Sequence, residues 1–459
     1  MELKATETDA LTDYLNYYAP LIGDQRTRRV FQGTVKGIIG AERLVCAQIA
    51  VHAPELAAGE NSEQRIRRMV NEQTTQRSKL DAASVTQRLR ARGVAQLRGE
   101  KEVWIMADGS ELRKPYARQM AGLMRVLKLD KSGVVNGYRT LNAFGLGKQR
   151  RGILYHRLFS SETAEFVSEP QEVQTMLRTV IAATRSLDAT IIWGLDSGFD
   201  DEAVWATIWA ANQHLVGRLC HLNRLVEQRM DDGRWQTVSL EHAAARLQHL
   251  AVVETELVVQ KRGQKCAKRQ KVPVHISACP VRVSYPVTSR TAKRGATRQK
   301  IVWLVRVELA GLDWDPWWLL TDLPVLDEAG AIKVFRIYRQ RWAAEDTFKV
   351  TKECLGWEEV QLLDLKGIRN LVALGWVAAG FLYELGVTFE WPELRVLARL
   401  GGWEARQDPE RRPGRIVLMR GLRRLLDLAA TEAILAAEIA THGSLPPRLA
   451  TLIRRATAA

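Results

Sequence analysis

Cysteine is scarce in this sequence, long apolar runs are missing, and over one stretch acids are absent altogether. The five cysteines (Cys46, Cys220, Cys266, Cys279, Cys354) are odd in number and include no CxxC pair. That argues against a disulfide framework and for a reducing, cytoplasmic setting. Cys266, His275 and Cys279 lie close in sequence, but their spacing matches no common zinc pattern. The longest apolar run, Leu371–Leu382, has twelve residues, where a bilayer span needs roughly twenty. A buried helix is expected there, and no membrane partner. The opening MELKATETDALTDYL has no apolar core behind a basic start, so no signal peptide is expected. Between Lys261 and Lys300 there are twelve Lys or Arg and no Asp or Glu.

What the chain does have is a core and an excess of positive charge. Hydrophobic residues make up 46% of its 459 residues, and the formal net charge is +15. The first figure excludes a mostly disordered chain, and the second points to a polyanion, with nucleic acid the best fit. The acid-free forty residues carry much of that excess and are expected to contact phosphate. Residues 1–98 read as basic helices for DNA, one of them opened by Gly23-Asp24, without helix-turn-helix spacing. Strand patterns follow at Glu102–Ala107, Val134–Gly145, Gly152–Phe159, Ala189–Leu195 and His214–Leu222, with helices at Glu169–Ser186 and near 201–213. Such an alternation predicts a mixed α/β sheet over 99–222. A β-rich basic insertion occupies 223–325, and the sheet domain resumes over 326–390. That second part includes an apolar helix, Gly367–Val387, expected to pack on the sheet. A helical region suited to dimerisation, 391–459, ends the chain.

The chemistry gathers at Tyr338–Lys352, YRQRWAAEDTFKVTK. With no Gly or Pro, this segment is expected to form one unbroken helix of about four turns. Tyr338, Arg341, Glu345, Lys349 and Lys352 would then share an arc of roughly 80°. One acid among three cations and a phenol suits a metal ion and phosphates better than a core. Two expected strands end in aspartate, at Asp108 (EVWIMAD) and Asp196 (ATIIWGLD). Two strand-end acids and a helix acid can converge at the open edge of an α/β sheet. Three hard oxygen donors suit Mg²⁺, which can activate water and stabilise a leaving oxygen in phosphodiester chemistry.

The spacing Tyr338-x2-Arg341-x3-Glu345-x6-Lys352 resembles the YREK signature of DDE transposases of the insertion-sequence-four family. The resemblance covers most of the chain, and the helical ends least. It implies a ribonuclease H-like mixed sheet with flanking helices, interrupted by a β-rich insertion between the second Asp and the Glu. Asp108, Asp196 and Glu345 would hold Mg²⁺, with Mn²⁺ able to substitute. Tyr338, Arg341, Lys349 and Lys352 would hold DNA phosphates, and Trp317, with Trp318 beside it, would receive a flipped base. The implied activity is cut-and-paste transposition by a homodimer on double-stranded transposon ends and target DNA. It proceeds by hydrolysis, a hairpin intermediate and 3′-end joining, in a bacterial, nucleoid-associated setting. Two rival readings use the same residues: a catalytically inactive, transposase-derived DNA-binding protein, or a ribonuclease H-like nuclease.

Overall fold

Short polar side chains that accept backbone N–H groups set where many helices begin. Asp24 accepts from Thr27 N at 2.8 Å and opens the helix Gln25–Ala41, as its sequence suggests. Ser168, Asp201, Asp327 and Asp364 do the same for four later helices. The computed structural model describes residues 6–53, 61–71, 80–130, 132–148, 150–259, 268–287, 295–403, 413–447 and 449–451, without the side chains of 6–9, 258–259, 268–269 and 343–346.

In chain order, α1 (Thr6–Asn16), α2 (Gln25–Ala41), α3 (Cys46–Val51), α4 (Ser62–Asn71) and α5 (Ala82–Gln96) come first. Strands β1 (Glu102–Arg113), β2 (Met124–Leu127), β3 (Val134–Leu146) and β4 (Arg151–Phe159) follow, then α6 (Glu169–Thr184), β5 (Thr190–Leu195), α7 (Glu202–Ala210) and β6 (His214–Arg218). Next are β7 (Leu225–Arg229), β8 (Trp235–Ser239), α8 (Leu240–Ala243), β9 (Gln248–Val259), β10 (Lys268–Pro286), β11 (Thr297–Leu309) and β12 (Trp317–Thr321). Helices α9 (Glu328–Arg339), α10 (Trp342–Lys349), α11 (Leu365–Thr388), α12 (Trp391–Leu400) and α13 (Arg415–His442) close the chain. The class is mixed α/β.

The chain divides into two compact units. One comprises Met1–Leu89, Glu111–Tyr138 and Phe348–Ala459. Its centre is α11, the one helix among the described residues long and apolar enough to cross a membrane, with 83% of that window buried. A helix apolar on every side belongs inside a core. Its main packing is on α2 and α4 rather than on the sheet, which corrects the expectation from sequence. A glycine also lets α1 approach: a Cβ on Gly380 would stand 2.6 Å from Tyr14 Oη, which donates to Val377 O at 2.8 Å.

The other unit comprises Arg90–Ser110 and Arg139–Thr347. Strand β1 pairs in parallel with β5, and β5 with β6; β4 lies beside β3, which neighbours β1. Beyond β6 the strands of the 223–325 segment continue the same sheet through β12, β11 and β10, each antiparallel to the last. Alternation along each strand sorts the two faces. Val103, Ile105 and Ala107 of β1 and Ile191, Trp193 and Leu195 of β5 pack in one core with α6 and α7. The intervening residues face α9, where Gly194 leaves room for Met106.

Candidate active site

Asp108 and Asp196 are brought together by register. Ala107 pairs with Leu195 in the parallel ladder, so each aspartate is the next residue along, Asp108 within β1 and Asp196 just past the end of β5. Each follows a residue committed to the α6/α7 core, so each turns toward α9. The two positions differ in one respect. The expectation that β1 ends at Asp108 is wrong: β1 runs on to Arg113, and only its parallel partner stops. Asp108 accepts a hydrogen bond from Gly109 N at 2.8 Å. Asp196 begins the single turn Ser197–Phe199, with no capping bond from its side chain.

Two side chains from the end of α9 close on this pair. Tyr338 Oη donates to Asp196 Oδ1 at 3.4 Å. Arg341 places Nη1 3.7 Å from Asp108 Oδ2 and Nε 3.9 Å from Asp196 Oδ1, with only 12% of its side chain exposed. One guanidinium therefore faces both carboxylates. Burial, and next the charge of Asp196, push the Tyr338 phenol above its ordinary range. It stays protonated and remains a donor.

The helix expected to run unbroken from Tyr338 to Lys352 does not. Gln340 and Arg341 bond to carbonyls three residues back, which tightens the end of α9. Helix α10 then covers Trp342–Lys349, and Val350–Cys354 widens to a π-turn. There the Thr351 hydroxyl donates to Phe348 O at 3.1 Å and competes for the backbone. The segment is thus three successive pieces of backbone rather than the one unbroken helix expected. Glu345 lies on α10, and its side chain is outside the described residues. Lys349 and Lys352 fall in the first unit. Lys349 faces Glu353 at 3.9 Å, while Lys352 is 3.7 Å from Glu358 and 5.9 Å from the Trp357 ring centre. Burial lowers the Lys352 amine from its usual range.

The two tryptophans of β12 point opposite ways. Trp317, 6% exposed, packs on Tyr338, Trp342 and Phe335 at ring-centre distances of 5.2, 5.8 and 6.2 Å. It therefore lies on the face that carries the aspartates. Trp318 packs with the α6/α7 core on the other face, under the Arg306 guanidinium at 5.8 Å.

Sequence reading missed Asp200, whose carboxylate accepts from Cys220 N and His221 N at 2.8 and 3.0 Å and pairs with Arg224. Its oxygen, Cys220 Sγ and a His221 nitrogen lie within 4.8 Å of one another. Arg224 already neutralises the acid, and burial, then the charge of Asp200, raise the Cys220 thiol. This cluster pins the turn after β6 to the turn after β5. Only its long-range partners reveal that role, and sequence spacing carries no sign of them. Comparison with protein-family models and with curated proteins finds no match to this chain.

Proposed function

We propose that the chain is a DDE-type DNA transposase with a ribonuclease H-like catalytic core. The observation that carries this reading is one guanidinium, that of Arg341, facing both Asp108 and Asp196, the residues that follow the paired Ala107 and Leu195 of adjacent parallel strands. Carboxyl ends of parallel strands are where open α/β sheets bind their ligands. A pair of carboxylates gathered round one positive charge also fits a divalent cation, since the donor set is hard oxygen. Asp108, Asp196 and Glu345 would hold Mg²⁺, or Mn²⁺ in its place. When bound, the ion supplies Lewis acidity toward phosphate oxygens and lowers the pKa of water.

The chain's own groups account for orientation. The Tyr338 phenol donates to Asp196 and fixes which oxygen stays open toward the site. Trp317 backs Tyr338 and Trp342 and keeps bulk water from that side. Arg341 supplies positive charge for DNA phosphates, and in the other unit Lys349, beside Glu353, and Lys352, beside Glu358, carry charge for the same kind of ligand. The proposed sequence is hydrolysis at the element end, hairpin formation, reopening, and joining of the 3′ end to target DNA by a homodimer.

The test is incubation with the element's own end DNA and Mg²⁺, read on a denaturing gel. Nicked and then hairpin products are expected. Glu345→Gln should abolish both while DNA binding stays nearly intact, because a carboxylate donor is lost and no cation is. Binding without any cleavage in Mg²⁺ or Mn²⁺ would favour the inactive DNA-binding reading.

A further inference from the structure

Arg341 reaches the two aspartates at 3.7 and 3.9 Å, distances of ion pairing rather than of hydrogen bonding. Toward these carboxylates the guanidinium is held by charge and not by a bidentate fork, the geometry that makes Arg–carboxylate pairs tight. It is also largely buried, so water screens it poorly. A divalent ion takes carboxylate oxygen at about 2.0–2.6 Å. An ion on these same two carboxylates would meet the Arg341 charge at close range.

We infer that Arg341 is a resident counter-cation that competes with the divalent ion for Asp108 and Asp196, and that DNA phosphate relieves the competition by drawing the guanidinium away. The inference rests on the metal-site reading above and adds its regulation: the site takes its ion well only when nucleic acid is present. Tyr338 supports the exchange. Its phenol O–H donates to Asp196 Oδ1 at 3.4 Å, a contact separate from the guanidinium, so the carboxylate keeps a partner when the guanidinium leaves. Arg341 is a positioning residue in this scheme, and its effect is on affinity for the ion.

Calorimetric titration of the full chain with Mn²⁺, without DNA, tests this directly. Removing one positive charge within about 5 Å of a divalent ion, at water-like screening, should strengthen binding about tenfold or more. Arg341→Gln should show that gain, and Arg341→Lys, which keeps the charge, should stay near wild type. A short duplex of arbitrary sequence should tighten Mn²⁺ binding by wild type and leave Arg341→Gln unchanged. The ion held by DNA itself is subtracted with an Asp108→Asn/Asp196→Asn double variant carrying the same duplex. The wild-type measurement needs no folded Arg341 variant and stands alone if Arg341→Gln fails to fold. Equal or weaker Mn²⁺ binding by Arg341→Gln, or no effect of duplex on wild type, overturns the inference and leaves the metal site standing. Mn²⁺ binding that the double variant retains in full overturns the metal site and the inference together.

Discussion

His156 is buried on β4, where its Nδ1–H donates to Asn142 Oδ1 at 2.8 Å across the strand pair. Asn142 Nδ2 donates in turn to Thr140 Oγ1, and that hydroxyl to Ser110 O, both at 3.1 Å. Burial pushes the imidazole down to about 3 from its ordinary 6.5. The folded chain therefore refuses a proton that the unfolded chain accepts below about pH 6.5. Stability from this residue is fully present above that pH and is lost as pH falls toward 3. The loss should approach about 1.4 kcal/mol per pH unit within that window. Urea unfolding at pH 7, 6 and 5 checks this, with His156→Asn expected to flatten the decline. An equally steep decline in that variant would assign the acid sensitivity to other groups. The partnership was illegible in sequence, because Asn142 and His156 meet only through strand register.

Trp317 and Trp318 show how an element fixes what a residue can do. Adjacent in sequence, they lie on opposite faces of β12, and only Trp317 shares a face with Tyr338 and Asp196. Hairpin formation bends a strand sharply and pushes a base out of the stack, a cost of a few kcal/mol. Stacking on an aromatic ring returns about 1–3 kcal/mol. Trp317 is covered by Phe335, Tyr338 and Trp342, so it takes a base only when those rings part. On that reading Trp317→Ala should spare the first nick and impair the hairpin that follows, while Trp318→Ala, if it folds, should leave their ratio unchanged. Equal loss of nick and hairpin in Trp317→Ala, with a lowered melting temperature, would mark Trp317 as a core residue alone. Most elements of the sheet were legible, since Glu102–Ala107, Gly152–Phe159 and Ala189–Leu195 alternate or run apolar between turn residues. Short β2, β7 and β8 were not, because four or five residues carry too little pattern. The break at Gln340–Arg341 was invisible for another reason: neither Gly nor Pro marks it, and backbone bonding alone makes it. Asp108 and Asp196 were legible as a pair because apolar runs lead straight into them.

At the scale of the whole molecule, a net charge of +15 suits a polyanionic partner, and the sequence alone leads one to expect phosphate contact along the Lys261–Lys300 tract. Residues 261–267 and 288–294 lie outside the described residues. In the described part, the tract finds acids elsewhere in the chain. Arg282 pairs with Glu227 and stacks on Trp235 at 4.4 Å, and Lys271 stands 3.9 Å from Glu254. Lys300 pairs at 3.0 Å with Asp322, a carboxylate 99% enclosed that also accepts from His214 and from Leu215 N. Burial alone would raise that acid, but these bonds and the Lys300 charge outweigh it and hold it low. An acid-free stretch is thus not a stretch without acid partners, because strand pairing imports them. Two kinds of lysine in one tract should then behave differently. Lys300→Met strips a partner from a buried carboxylate and should cost roughly 2 kcal/mol or more of stability. It should leave the salt dependence of DNA affinity unchanged. Neutralising Lys261, Arg262 and Lys265 together should reduce the log–log salt slope on duplex DNA by about 0.9 for each lost phosphate contact. Urea unfolding and DNA binding across a salt series separate the two. A slope that falls in Lys300→Met and holds in the triple variant would reverse the assignment and place the phosphate contact on the β11 strand.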